Sequence, residues 1–193
     1  MSQLNAAVRQ SVVIDRQFGG TCAILVGILW VITVITFFLG KGGLELLDLS
    51  WVLTGVLGLA VVPALTETVD GQLSAGLRWA QALGYLGFGV QALQYASVLQ
   101  HPSLEVAIDP GEFLVFGGIA VWLVAANWVM WGMPGRGHWR AGLGLLLGLL
   151  YLVNILFSDV NLPASLTPIM GGIMVVVAPV WFIWSGVAVR RGA

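Results

Sequence analysis

Six stretches of nearly uninterrupted apolar residues, separated by short polar segments, divide this chain. A helix needs roughly 20 apolar residues, about 17 to 25 in practice, to cross the hydrocarbon core of a bilayer. Residues 21–39, 50–67, 77–99, 112–131, 139–158 and 168–189 meet that requirement and predict six transmembrane helices. The second is the shortest and carries Pro63. The amphipathic run Leu44-Glu45-Leu46-Leu47-Asp48-Leu49 before it reads either as its first turns or as a segment along the interface. Start and stop chemistry supports these limits. Asp109-Pro110-Gly111-Glu112 offers an N-cap, a proline at the first helical position and a capping-box acid. Thr167-Pro168 repeats the cap-then-proline pattern, and Pro134-Gly135-Arg136-Gly137 closes the fourth helix.

Composition sharpens the class. Of 193 residues, 59% are hydrophobic and 9% charged, against about 45–50% and 25% in soluble domains. The expectation is an all-α, polytopic integral membrane protein, a single six-transmembrane-helix bundle over residues 1–193. Residues 1–20 are polar and amphipathic, with no separate apolar segment followed by a small-residue cleavage site, so the first helix is expected to be its own insertion signal. A net charge of −1 gives no basic surface for nucleic acid. The single cysteine, Cys22, excludes an internal disulfide.

Charge also orients the bundle. With the N-terminus inside, Arg9, Arg16, Arg78, Arg136, Arg140, Arg190 and Arg191 fall on the cytoplasmic side and Lys41 alone on the other. That is the positive-inside bias, and it emerges only when the helices number six. Glu45, Asp48, Glu105, Asp109, Glu112 and Asp159 lean to the outer side. Trp51, Trp79, Trp131, Trp139 and Trp184 sit near helix ends, where an amphipathic ring suits the headgroup level. Both termini are therefore expected in the cytoplasm, with a bacterial inner membrane as the location.

Lipid tails are as apolar as leucine, so packing between the helices must use close backbone approach and polar contacts. In the third helix Gly76, Ala80, Gly84, Ala92 and Ala96 form a small-residue stripe interrupted by Phe88, and in the fifth Gly144 and Gly148 share the same spacing. The third helix carries a second, more polar stripe that runs through Phe88 and bears polar groups at Arg78, Gln81, Tyr85, Gln91 and Tyr95, with Gln94 beside it. Spacings of three and four put most of these on one face, and glutamine avoids lipid. Asn127 in the fourth helix and Asn154 in the fifth are the residues expected to meet them. These eight residues are the candidate ligand-binding set. They either form an interhelical hydrogen-bond network or line a cavity for a small, largely apolar molecule.

Missing residue types exclude other chemistry. No Asp, Glu, Lys, Arg or His occurs in residues 79–99, 113–131, 141–158 or 168–189, which disfavours a proton or cation carrier with charged groups at depth. His101 and His138 lie in loops on opposite sides and cannot be paired intramembrane haem ligands. His101 with Glu105 is a conceivable outer metal pair, but capping already accounts for the neighbouring Asp109 and Glu112. No phosphate-cradling glycine loop, zinc-protease helix or Ser/His/Asp set is present. Glu67 and Arg78 flank the turn at Asp70-Gly71 and read either as an ion pair or, with Gln81, as the polar mouth of the cavity.

The entry Arg16-Gln17-Phe18-Gly19-Gly20, the run Leu77-Arg78-Trp79-Ala80-Gln81-Ala82 and the final Trp181-Phe182-Ile183-Trp184-Ser185-Gly186 resemble a family of bacterial six-helix membrane proteins known as domain of unknown function 4386. That family often has an acidic residue where this chain has Gln81. The resemblance implies the six-helix fold and no particular activity.

Three functions stay open. The first is an accessory or binding protein that holds a lipid-like or pigment-like ligand, or that packs against a larger membrane complex or a second copy. The second is a transporter or channel for a neutral solute. The third is an intramembrane enzyme acting on a lipid or terpenoid through Glu67 or Glu112. The bilayer is a partner in all three, and the sequence specifies no cofactor.

Overall fold

The computed structural model describes residues 2–39, 44–69, 73–100, 109–133, 137–156 and 166–192, with side chains over 15–36, 45–66, 73–100, 114–133, 137–156 and 169–192. Lys41, Asp70, Gly71, His101, Glu105, Pro134, Gly135, Arg136 and Asp159 lie outside the described residues. So do the side chains of Arg9, Glu67, Asp109, Pro110, Glu112, Thr167 and Pro168.

The described residues form six α-helices: α1 (Ser2–Leu39), α2 (Leu44–Val69), α3 (Ala75–Gln100), α4 (Asp109–Trp131), α5 (His138–Leu156) and α6 (Leu166–Arg190). Two starts differ most from the sequence reading. Helix α1 begins at Ser2, so the polar amphipathic segment continues the apolar one as a single helix. Helix α2 begins at Leu44, so the Leu44–Leu49 run supplies its first turns. No proline interrupts either junction, and the α1 ladder runs unbroken through Gly19 and Gly20, which pack closely against Ala64 of α2 and Gly186 of α6.

Caps explain several ends. The Ser74 hydroxyl accepts a hydrogen bond from the Leu77 amide at 3.3 Å, satisfying one of the first donors of α3. At the end of α6, Gly192 takes a left-handed φ of 73°, the conformation that lets a helix terminate without a Cβ clash.

Five helices contain stretches long and apolar enough to cross a membrane: Asp15–Thr36, Glu45–Thr66, Leu114–Trp131, His138–Leu156 and Ile169–Arg190. Helix α3 falls short of them in hydropathy because Arg78, Gln81, Gln91 and Gln94 interrupt it. The protein is thus all-helical, and its five apolar helices give it the character of a multi-pass membrane protein.

Each helix packs against its neighbours in sequence, and α6 returns to α1, closing a ring. The α5–α6 seam is the least closely packed part of that ring, and α2 also reaches α4 and α6 across it. Neighbours run antiparallel, so α1 begins and α6 ends at the same end of the molecule, called here the terminal end. Close approach relies on glycine. A Cβ on Gly55 would lie 2.7 Å from the Phe88 carbonyl, and one on Gly87 would lie 2.7 Å from the Val115 carbonyl. The stripe expected on α3 is used unevenly. Gly84 packs against Trp122 and Val62, Ala92 faces Gly55, and Gly76 has open space. Gly144 and Gly148 of α5 both face α4, meeting Asn127 and Val124.

Candidate functional site

The core is an aromatic spine running across the bundle. Phe88 of α3 meets Trp122 of α4 edge-on, Trp122 meets Trp181 of α6, and Trp181 meets Phe182, with centroids 6.0, 6.3 and 4.9 Å apart. Trp122 is fully buried, and its indole N–H donates to Thr66 Oγ1 of α2 at 2.9 Å. The Thr66 hydroxyl in turn donates to the Val62 carbonyl at 2.6 Å. Tryptophan carries a polar edge that needs a partner when buried, and here a back-bonded threonine supplies it.

Towards the end opposite the termini, part of the polar stripe on α3 is taken up by α2. Gln91 is 2% exposed and donates from Nε2 to the Trp51 carbonyl at 3.0 Å. The Tyr95 ring stacks on Trp51, with centroids 5.8 Å apart and planes at 22°. Trp30 of α1 closes on the other side of Trp51 at 5.1 Å, and the Thr33 and Ser50 hydroxyls bond at 2.7 Å beside it. Gln91, Tyr95 and Trp51 therefore form one packed polar–aromatic joint between α2 and α3. The other candidates on α3 are dispersed: Gln81 and Gln94 are half-buried, while Arg78 and Tyr85 are exposed.

The two asparagines part company. Asn154 is exposed on α5. Asn127 is 1% exposed and faces a different set of residues from the α3 stripe. Its Nδ2 donates to the Leu123 carbonyl at 2.8 Å. The residue borders a small cavity of about 10 Å³ near the terminal end, walled by α2, α4, α5 and α6. Arg140, Trp181 and Ser185 complete the polar wall, with Leu65 and Ala126 among the apolar lining.

Three of those polar atoms, Asn127 Oδ1, Trp181 Nε1 and Ser185 Oγ, are buried without a hydrogen-bond partner among the described residues. Arg140, one of the charges that the sequence puts on the cytoplasmic side, is only 5% exposed, with Nη2 3.2 Å from Met130 Sδ. Trp181 and Ser185 were missed as site residues, although their spacing of four puts both on one face of α6. Serine in an apolar helix commonly bonds back to its own backbone, so its presence alone did not mark a site.

A second feature lies on the outside of the bundle. Helices α3, α4 and α5 enclose a groove of about 220 Å³ lined by Leu83, Leu86, Leu114, Val121, Leu152 and Ile155, with Gly117 and Gly118 leaving it open. The two glycines differ. A Cβ on Gly118 would collide with the Leu83 carbonyl, whereas one on Gly117 would meet only Ile155 Cδ1, at 4.0 Å. Gly118 thus brings α3 and α4 together, and Gly117 keeps the groove empty. Another apolar groove, of about 540 Å³, runs along α1 and α6 between Val31 and Val180 and is bounded by only those two helices. Among the described residues no cluster of three or more His, Cys, Asp or Glu could hold a metal ion.

Comparison with protein families, curated proteins and solved structures found no match to this chain.

Proposed function

We propose that the chain is a six-span membrane protein with both termini in the cytoplasm of a bacterial cell, and that it binds the hydrocarbon part of a lipid-like ligand in the α3–α4–α5 groove. Membership of the six-helix family that the sequence resembles belongs to the same proposal. The sixth span is α3. It packs between α2 and α4, both apolar enough to span, and a helix antiparallel to each of them must run back across the same thickness. Its low hydropathy has a local cause: Gln91 turns inward to Trp51, while Leu83, Leu86 and Leu93 are exposed.

The observation that carries the ligand reading is the groove itself. Its lining is apolar throughout, three helices bound it, and the bare backbone of Gly117 opens it. A polar ligand would find nothing there to bond. A hydrocarbon chain finds complementary surface, each buried methylene contributing about 0.8 kcal/mol where it leaves water and dispersion contacts where it leaves lipid. The joint around Trp51 consumes Gln91, which favours this outer groove over the α3 stripe as the ligand's seat.

The test is purification in mild detergent followed by mass spectrometry of bound small molecules, for the wild type and Gly117→Leu. A Cβ at 117 meets only Ile155 Cδ1, at 4.0 Å, and the rest of the leucine extends over the groove, so the variant is expected to fold and to lose the ligand. Equal ligand content in both proteins, or an empty wild type, would overturn the reading. A stoichiometric partner subunit in place of a lipid would replace it with packing in a larger complex.

A further inference from the structure

The cavity beside Asn127 differs from the groove in every chemical respect. It is interior, only about 10 Å³ in volume, and lined by three residues that each carry a buried polar atom without a partner among the described residues. Each of them is at most 2% exposed as a residue: Asn127 and Ser185 are 1% exposed and Trp181 is 2%. Leaving such groups bare inside an apolar bundle is costly, because each gives up its hydrogen bonds to water and gains none in return. A site of this size, roughly 10–15 Å³, with two to four polar partners is what one water molecule requires.

The donor and acceptor pattern decides the guest. The Asn127 amide is oriented by its own helix: the Leu123 carbonyl can only accept, so the NH₂ group faces it and Oδ1 is the atom left without a partner. Oδ1 therefore asks for a donor. Trp181 Nε1–H can only donate and asks for an acceptor. The Ser185 hydroxyl serves either way. A halide could accept from Trp181 but could give nothing to Asn127. A sodium ion could take both oxygens but would meet the indole N–H and the buried guanidinium of Arg140, which also borders the cavity. A single O–H species satisfies all three atoms at once.

We infer that this cavity binds one ordered water molecule, which donates to Asn127 Oδ1, accepts from Trp181 Nε1 and bonds to Ser185 Oγ, and so joins α4 to α6. The position has mechanical value. Among the described residues no direct backbone packing ties α4 to α6, and α5, the helix between them in the ring, meets α6 only loosely. Ring contacts of Trp122 with Trp181 supply the apolar half of that cross-link, and the water supplies the polar half.

The experiment is nuclear Overhauser spectroscopy on the ¹⁵N-tryptophan-labelled full chain in lipid nanodiscs, reading the cross-peak between the Trp181 indole proton and the water frequency. Trp181→Phe assigns the resonance, and through-bond assignment replaces it if that variant does not fold. The wild type should show a direct, long-lived cross-peak. Ser185→Ala removes the hydroxyl that could relay exchange and leaves the water two partners, so the cross-peak should persist there. Its absence in the wild type, or its disappearance in Ser185→Ala, would overturn the inference.

Discussion

The hydrogen bond between Trp122 and Thr66 is the contact whose energetic weight can be worked out most directly. Both residues are fully buried, and the bond of 2.9 Å joins α4 to α2 across the middle of the bundle. Thr66→Val keeps the shape of the side chain and removes only the hydroxyl. The Trp122 N–H is then left bare at 0% exposure, for which the cost is about 1–3 kcal/mol. Interhelical hydrogen bonds in membranes average only about 0.6 kcal/mol, with a maximum near 1.7, because the unfolded chain also finds partners. Thr66 bonds to Val62 in its own helix, a bond that survives helix separation, but Trp122 has to find a new acceptor.

The expected loss for Thr66→Val is therefore about 1–2 kcal/mol, above the membrane average because one side of the bond has no local substitute. Trp122→Phe should cost more, since it also weakens the ring contacts with Phe88 and Trp181. The double variant isolates the bond as a coupling energy of about 1 kcal/mol. Unfolding in a graded mixture of mild detergent and dodecyl sulfate, followed by near-ultraviolet circular dichroism, measures all four corners of the cycle. A coupling below about 0.3 kcal/mol, the range of simple additivity, would refute the claim that this bond ties α2 to α4.

Glycine substitutions should separate close approach from open helix surface. Gly55→Ala puts a methyl group 2.7 Å from the Phe88 carbonyl and the Ala92 amide nitrogen, and should destabilise the α2–α3 contact by about 1–3 kcal/mol in the same unfolding assay. Gly171→Ala meets nothing within 4 Å and should be neutral or stabilising by up to about 1 kcal/mol through helix propensity. Gln91→Leu removes one bond to the Trp51 carbonyl and should cost about 0.5–1.5 kcal/mol, with ligand content unchanged if the outer groove is the seat. For orientation, Cys22 is buried and should give little background with a membrane-impermeant maleimide. Lys41→Cys should label from outside intact cells and Arg136→Cys only after permeabilisation, and the reverse pattern would refute the assigned orientation.

The helices were legible because their signals are local. Apolar runs of the right length, the proline and glycine breaks and the distribution of arginine each act within a few residues. Of the two largest shifts, at Ser2 and Leu44, the second lies where amphipathic sequence adjoins an apolar run without a breaker, and the first runs through Gly19-Gly20, a local break signal that close packing against α2 and α6 overrides. The candidate site was legible only in part. Asn127 and Gln91 are both buried, as inward-facing amides should be. Arg140 counts in the sequence among the charges of the cytoplasmic side, three residues after Gly137, yet the chain turns it into the bundle beside Met130.

By itself, then, the sequence determined that this protein is helical, that five of its helices are apolar enough to cross a membrane, and which residue types the helices carry. Only the tertiary structure decided which of those residues meet. Asn127 and Asn154 are the same residue in similar apolar helices, and one is sealed against Gly144 while the other is exposed. Gln91 found the Trp51 carbonyl, while Gln94, three positions on, is only half-buried. The physical reason is the solvent. In a water-soluble helix the apolar stripe marks the inner face, but against lipid both faces are apolar and that marker disappears. Inner and outer faces are then set by where backbones can approach, as at Gly55 and Gly118, and by where a buried donor meets an acceptor, as at Trp122 and Thr66. Those are pairings between distant parts of the chain, and local periodicity does not encode them.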